Sequence, residues 1–590
     1  LLPSEEHLVK LDATKIPELH LKNPKLWWPK GYGAPHLYDV EFCFETDGKV
    51  TDKTSFKSGV RQMTYSEETY KPSGGMSVGS FGQSEPQRLS LFINGRRFIG
   101  FGGNWGFGES NLNYREREYN IAVAYHADMN FTMIRNWVGQ IGDREFYEAC
   151  DRHGVMVWQD FWLANPVDGP NPYYTEMFNA NACDYLKSIR NHPSIGIYVG
   201  RNEGNPPAEI DDYLRELVSR EHPGLYYISN SAMGVVSGGG PYRALSPKSY
   251  FQSYGHDKFH SERGMPNVMN YESMLLTFGA DKIEPVNTTE TPNPVYGLHD
   301  YTLGGGKGSS AQAASSFNDM IKKAFGHPRD AKQFAEWAQW INYDGYRAIF
   351  EGRSEHRRGM LLWMSHSAWP SMVWQTYDYY FDPNAAYFGC KKASEPLHIQ
   401  WNPLRDDIEV VNYHASDRTE LTATASLFNQ DGTLQWTRET ILDIKEDQTV
   451  ACFPLEQPET LSDTYFIKLS LTDSEGKQLS DNFYWRGKEE GNYKSLLQLP
   501  KVPIYKDVTI KKTGKEWLMR AVLKNETQTP ALMLRLKVAS EKSGRMLLPV
   551  FYSDNYFSLL PGEVKEVNIR LYDADTYGEK PVLEVSGFNL

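Results

Sequence analysis

The feature that most constrains the fold is a stretch between residues 89 and 400 in which short apolar runs alternate with longer amphipathic ones. Runs such as "FTMIRNWV", "VMVWQDFW" and "SIGIYVGRNE" have the length and composition of buried strands, and "DREFYEACDRHG" and "AEIDDYLRELVSREH" carry apolar residues at helical spacing. This alternation is typical of βαβ units, which build parallel sheets. Seven clear strands and a weaker one near Tyr250 predict a (β/α)8 barrel, and a doubly wound sheet is the alternative.

The remainder of the chain lacks helical periodicity. "HLYDVEFCFET" near the start and "LTATASLFNQDGTLQW" and "EVKEVNIRLYDAD" near the end alternate apolar and polar residues, as half-buried strands do. We therefore predict a multidomain protein of class α/β plus all-β, in which immunoglobulin-like β-sandwiches flank the barrel. The predicted domains are a partial sandwich at 1–88, the barrel at 89–400, and sandwiches at 401–495 and 496–590.

The first of these segments is short for a sandwich. Only about three strands' worth of sequence precedes the Gly- and Ser-rich loop "KPSGGMSVGSFGQSEP", whereas a sandwich needs about seven strands. We expect an incomplete sheet there, with exposed apolar residues and an open edge strand.

Charge and composition exclude some functions. The formal net charge of −13 argues against nucleic acid as a partner, because phosphates are bound through basic patches. No run of 18 apolar residues predicts a membrane span. The five cysteines are scattered without a CxxC pair, which favours free thiols over disulfides or a metal site.

Two glutamates end predicted barrel strands. Glu203 closes "SIGIYVGRNE" and Glu262 closes "KFHSE". Active sites of such barrels lie at the carboxyl ends of the strands, and glycoside hydrolysis needs two carboxyl groups on either side of the scissile bond. The pair therefore predicts a glycosidase site, and the alternative is that each glutamate only ends a strand beside a basic partner.

Other polar and aromatic residues at strand ends complete the candidate site. Arg135 is placed to hydrogen-bond the nucleophile, and an adjacent cation favours a charged carboxylate. Asp160 and Trp162 are expected to face the sugar, with a packing role as the alternative. Strand-end His and Asp ligands of a metal-dependent hydrolase are absent, so we predict neither a metal nor a cofactor. The further candidates for substrate contact are Asn104, Trp105, Asn202, Tyr254, Trp363 and Trp369, and His366 is another strand-end polar group.

Several of these segments resemble glycoside hydrolase family 2, in the branch of exo-β-D-glucosaminidases, β-mannosidases and plant endo-β-mannosidases. "PKLWWPKGYGAPHLYDV" resembles the end of the family's first immunoglobulin-like domain, "LFINGRRFIGFGGNW" its entry into the barrel, and "DNYFSLLPGE" the last domain of the exo-glucosaminidases. "RNHPSIGIYVGRNEG" resembles the acid/base segment and "FHSERGMP" the nucleophile segment. The resemblance implies that Glu203 is the general acid/base, that Asn202 contacts the sugar 2-hydroxyl, and that Glu262 is the nucleophile.

The resemblance implies a retaining, exo-acting β-glycosidase that needs no cofactor and acts on the β-mannosides or β-glucosaminides of a glycoside or oligosaccharide. Exo-glucosaminidases of this branch often carry Ser-Asp where this chain has Asn202-Glu203, which favours the mannosidase-like pattern. The alternatives are a non-catalytic carbohydrate-binding protein and an endo-β-mannosidase or other β-glycosidase of the same family. The family's N-terminal jelly-roll domain is missing from this sequence, so a fragment is expected, and a secreted or periplasmic location is favoured if the source is bacterial. The sequence does not determine the oligomeric state.

Overall fold

The structure is a computed structural model, and it describes residues 9–69, 87–252, 258–288, 291–299, 312–372 and 374–590. The strands are β1 Tyr38–Thr46, β2 Lys49–Ser58, β3 Met63–Thr69, β4 Gln87–Ile93, β5 Arg96–Phe98, β6 Gly100–Trp105, β7 Met133–Asn136, β8 Met156–Asp160, β9 Ile195–Arg201, β10 Tyr227–Asn230, β11 Val236–Ser237, β12 Phe259–Arg263, β13 Gly359–Leu362, β14 Leu397–Asn402, β15 Asp407–Asn412, β16 Arg418–Asn429, β17 Leu434–Ile444, β18 Gln448–Pro454, β19 Thr464–Thr472, β20 Gln478–Gly487, β21 Tyr505–Thr513, β22 Glu516–Lys524, β23 Ala531–Ser540, β24 Val550–Tyr552, β25 Phe557–Leu559, β26 Val564–Tyr572 and β27 Pro581–Ser586. The α-helices are α1 Glu116–Asp128, α2 Arg144–His153, α3 Thr175–Ile189, α4 Ala208–Glu221, α5 Pro247–Gln252, α6 Tyr271–Phe278, α7 Pro294–His299, α8 Gln312–Ala324, α9 Ala331–Glu351 and α10 Ala385–Ala393.

The centre of the molecule is a curled sheet of eight parallel strands in the order β10-β9-β8-β7-β6-β13-β12-β11. This is the strand order of a (β/α)8 barrel, with the ladder left open between β10 and β11 in the described part of the chain. The predicted barrel with flanking β-sandwich domains is confirmed. The doubly wound alternative is wrong because the first strand of the sheet, β6, pairs with the last one, β13, as it does when a sheet closes into a barrel.

The weak strand predicted near Tyr250 is wrong. Tyr250 lies in helix α5, and the sixth barrel strand is the two-residue β11. So short a strand, in a region rich in Gly and Pro, has no periodicity that sequence reasoning could detect. Its place in the sheet comes from its parallel pairing with β12, in which Val236 faces Phe259.

Local sequence explains where the barrel helices begin and end. Gly154, in the left-handed region at φ +70°, ends α2 and lets the chain turn into β8. The Asp330 side chain accepts a hydrogen bond from the backbone N–H of Gln333 at 2.8 Å, which caps the N-terminus of α9.

The described residues before the barrel form two small antiparallel sheets. β1 pairs with β2, and β3 pairs with β4, which pairs with β5. The second sheet crosses the predicted boundary at residue 88, because β4 spans Gln87–Ile93, and its apolar residues join the barrel interior. On the β1–β2 hairpin, Phe42, Phe44 and Val50 are exposed.

Antiparallel sheets also follow the barrel. β14-β15-β18 and β17-β16-β19-β20 enclose one apolar core. β21-β22-β26-β24 and β25-β23-β27 make up the last part of the chain. The first of these sheets starts at Leu397, slightly before the predicted boundary at residue 401. In the part of the chain described here, no helix combines the length and apolar character required to cross a bilayer.

Candidate active site

Glu203 and Glu262 both lie at the carboxyl end of the barrel. Glu262 is on β12 and buried, while Glu203 follows β9 after Asn202 and is half-buried. β9 and β12 lie on opposite halves of the curled sheet, so curvature brings the two side chains towards one opening. The charge of Glu262 contributes to raising the pKa of Glu203, as expected for two carboxyl groups that share one opening.

The Glu262 carboxylate is held by two donors. Arg135 donates from Nη1 to Oε1 at 2.7 Å, and the Tyr242 hydroxyl donates to Oε2 at 2.7 Å. Arg135 is fully buried, and Nη2 also donates to Asp160 Oδ2 at 2.7 Å. Charge-assisted hydrogen bonds of this kind fix geometry as well as charge. The arrangement orients Glu262 and supplies the two donors that stabilise a carboxylate at this position.

A second chain of hydrogen bonds links Arg135 to Glu203. Arg135 Nη2 donates to Asn202 Oδ1 at 2.8 Å, and Ser231 Oγ donates to the same oxygen at 3.3 Å. The Glu203 backbone N–H donates to Ser231 Oγ at 3.0 Å, and Asn165 Nδ2 donates to the Glu203 carboxylate at 3.4 Å. Glu203 adopts φ +48°, a conformation that costs free energy in a non-glycine residue and that surrounding contacts must maintain.

The two carboxyl groups differ in what surrounds them. Burial, and then the charge of Glu262, raise the pKa of Glu203 to about 7. Burial also raises the pKa of Glu262, but Arg135 and the Tyr242 hydroxyl act in the opposite direction. Near neutral pH, Glu203 is thus placed to carry a proton while Glu262 has the partners that a charged carboxylate requires.

Aromatic residues wall the opening on the Glu262 side. The rings of Trp137 and Trp363 meet edge to face at 5.0 Å between centroids, and Trp363 also contacts Trp374 at 6.1 Å and Tyr242 at 6.4 Å. Such rings offer flat apolar surface with a polar edge. The Trp363 candidate therefore lies on this wall.

The other candidates fall in different surroundings. Asn104 donates from Nδ2 to the carbonyls of Ser261 and Leu362 at 2.9 and 2.8 Å, so it ties neighbouring strand ends together. Asp160 positions Arg135. Trp162 is half-buried and packs against Tyr185 at 5.0 Å between centroids.

Trp105 and His366 belong to the packed interior. Trp105 is fully buried, its indole N–H donates to His126 at 3.0 Å, and its ring stacks on His366 at 4.3 Å. Neither side chain therefore presents a free face to a sugar. Trp369 is 38% exposed and stacks on His299 at 6.0 Å, and Tyr254 lies outside the described residues.

Sequence reasoning missed residues that follow strands through loops. These are Trp137, Asn165, Ser231, Tyr242 and Trp374. Trp137 and Ser231 carried a signal, since each directly follows a barrel strand, β7 and β10 respectively. Among the described residues, no cluster of three or more His, Cys, Asp or Glu side chains has the arrangement of a metal site.

In comparisons with known proteins, the matching families, relatives and solved structures are glycoside hydrolases. Residues 3–61 match the family model for glycosyl hydrolases family 2, and residues 482–590 match the model of the exo-beta-D-glucosaminidase Ig-fold domain. The chain is 27% identical to mannosylglycoprotein endo-beta-mannosidase of Lilium longiflorum, over 97% of this chain and 70% of the relative. It is also 27% identical to exo-beta-D-glucosaminidase of Streptomyces avermitilis, over 100% of this chain and 68% of the relative. The crystal structure of exo-chitosanase CsxA of Amycolatopsis orientalis superposes with a TM-score of 0.83 at 24% identity, over 96% of this chain and 70% of that one.

Proposed function

We propose that the chain is a β-glycosidase of glycoside hydrolase family 2 that removes terminal β-mannosyl or β-glucosaminyl units with retention of configuration. Glu262 is the nucleophile and Glu203 the general acid/base in this proposal. The observation that carries it is the difference between the surroundings of the two carboxyl groups. Arg135 and Tyr242 donate hydrogen bonds to Glu262, whereas the pKa of Glu203 is raised to about 7.

In the first step, the Glu262 carboxylate attacks the anomeric carbon and the bond to the leaving oxygen breaks. Glu203 gives its proton to that oxygen, so the leaving group departs as a neutral alcohol. Arg135 holds Asn202 through its hydrogen bond to Oδ1, and Asn202 is assigned the contact with the sugar 2-hydroxyl.

In the second step, Glu203 is a carboxylate and takes a proton from water, whose oxygen attacks the anomeric carbon and releases Glu262. Esterification of Glu262 removes its negative charge, which lowers the pKa of Glu203 and favours this change of role. Two inversions at the anomeric carbon give net retention.

The test is the variant Glu262→Ala with an aryl β-glycoside. Turnover should fall by several orders of magnitude, and added azide should restore part of it by occupying the space of the carboxylate and forming the α-glycosyl azide. Glu216→Ala, which removes a surface carboxylate, is the matched control and should keep full activity.

The stereochemistry of the unmodified enzyme is measured in parallel by proton NMR of the first-formed sugar. The β-anomer is the expected first product. Initial release of the α-anomer, or full activity of Glu262→Ala without azide, would contradict the proposal.

A further inference from the structure

The loop between β8 and α3 contacts the proposed acid/base residue. Asn165 donates to the Glu203 carboxylate at 3.4 Å, and the backbone N–H of Asn202 donates to the Leu163 carbonyl at 2.9 Å. A Cβ added at Gly204 would lie 3.1 Å from Pro166, so the loop packs closely against the chain that follows Glu203. This loop therefore forms the wall of the site on the Glu203 side.

Arg201 ties the same loop down from the end of β9. Its Nε donates to the Ala164 carbonyl at 2.6 Å, and its Nη1 donates to Asn171 Oδ1 at 2.7 Å. These bonds fix the loop two residues before Tyr173. The loop is thus anchored at Ala164 and Asn171 to the end of β9, and at Asn165 to Glu203 itself.

The loop and the first turn of α3 expose large apolar side chains, one of them between the two anchors and the others beyond Asn171, and we name this set the acid-side patch. Val167 is 94% exposed, Tyr173 87%, Tyr174 73% and Met177 62%. Single exposed apolar residues are ordinary, but several in one short segment beside a catalytic cleft mark an interaction surface. Tyr rings suit a partner that has both apolar faces and polar edges.

The chemistry of the reaction identifies that partner. The acid must lie within hydrogen-bond distance of the glycosidic oxygen, so the leaving group begins next to Glu203. A pyranose ring presents C–H groups on its faces and hydroxyls at its edges, which matches exposed Tyr rings. The aromatic wall of Trp137, Trp363 and Tyr242 lies instead on the Glu262 side, where the sugar that is removed would be held.

We propose that the acid-side patch binds the leaving-group part of an oligosaccharide, so that the natural substrate continues as a saccharide beyond the bond that is cleaved. This inference rests on the proposed role of Glu203. It adds the substrate class, a glycan chain rather than a glycoside of a small alcohol, and it assigns Tyr173 and Tyr174 as specificity-determining residues. Binding energy from such remote contacts is expressed in the rate of the chemical step as well as in affinity.

The experiment compares two substrates that share the sugar accepted at the terminal position. One is its β-glycosyl fluoride, whose leaving group cannot touch the patch and needs little protonation, and the other is a β-1,4-linked tetrasaccharide of the same sugar. The double variant Tyr173→Ala, Tyr174→Ala should lower kcat/KM for the tetrasaccharide by about tenfold or more, which corresponds to about 1.4 kcal/mol. Hydrolysis of the fluoride should be unchanged.

The matched control is Tyr505→Ala, which removes a 53% exposed tyrosine from a distant sandwich and should alter neither rate. An unchanged tetrasaccharide rate in the double variant, or equal losses on both substrates, would overturn the inference. So would a shift from dimer to monomer in sedimentation velocity, since the patch would then join two copies of this chain. Failure of the unmodified enzyme to hydrolyse the fluoride would instead count against the proposed function.

Discussion

At the scale of single residues, the site is organised around one arginine. Arg135 donates to Glu262, Asp160 and Asn202, so a single buried cation orients the nucleophile and the residue that precedes the acid/base. An unpaired buried charge would be costly, but three acceptors satisfy this one. The sequence indicated Arg135 because its position after "FTMI" put it at a strand end beside the two predicted glutamates.

The first prediction concerns the pH dependence of activity. The acid must be protonated, so activity is present below the pKa of Glu203 and is lost as pH rises through about 7. We expect kcat/KM on a natural oligosaccharide to fall tenfold per pH unit above that value. Glu203→Ala, measured on an activated aryl glycoside that needs little protonation, should lose this alkaline limb. A limb that persists near pH 7 in the variant would assign it to another group.

At the scale of secondary-structure elements, glycine allows the barrel strands to approach. A Cβ added at Gly102 on β6 would lie 1.6 Å from the Met133 carbonyl oxygen on β7, which no rotamer change can relieve because the clash is with backbone. The sequence shows the glycines of "GFGGNW" but not which of them faces a neighbouring strand. The strand pairing, in which Gly102 lies opposite Met133, decides it.

The second prediction follows from that contact. Gly102→Ala should force β6 and β7 apart and destabilise the fold by about 2 kcal/mol or more, as overpacking does. Gly142→Ala is the matched control, because its added Cβ meets no atom within 4 Å. Thermal unfolding should show a lower midpoint for Gly102→Ala alone. Equal midpoints for the two variants would show that the strands can move apart without cost.

At the scale of the whole molecule, a cluster of ion pairs joins the last sandwich to the barrel, in addition to the apolar core that the two share. Glu272 on α6 accepts from Arg535 at 2.8 Å and from Lys537 at 3.0 Å, and both cations lie on β23. Burial alone would raise the pKa of Glu272, but Arg535 and Lys537 lower it to about 2. The contact joins segments more than 260 residues apart in sequence, so no local pattern predicts it.

The third prediction is the pH dependence of this contact. Because the folded pKa of Glu272 lies below its ordinary value of 4.5, its contribution to stability is complete above pH 4.5 and is lost as pH falls towards 2. Glu272→Gln should therefore lower the midpoint of thermal unfolding clearly at pH 6, by a free energy on the order of 2 kcal/mol, and less at pH 3. Glu541→Gln, which breaks an exposed pair with Lys580, should have little effect at either pH. An equal loss at both pH values for Glu272→Gln would point to packing instead of charge.

The sequence by itself determined the class of fold and the catalytic pair of this proposal. Alternating strands and helices repeat along the barrel, and a strand that ends in a glutamate places that glutamate at a known end of the barrel, so local pattern carries the information. Glu203 and Glu262 were found in this way.

Only the tertiary structure decided which loop residues surround the pair. Tyr242 and Asn165 lie in loops without periodicity, whereas Ser231 directly follows β10. All three meet the glutamates because the sheet curls. Trp105, which the sequence put at a strand end like the others, is instead directed into the packed interior against His366. The direction of a side chain at a strand end depends on its contacts with neighbouring strands and helices. Those contacts come from residues far away in the chain.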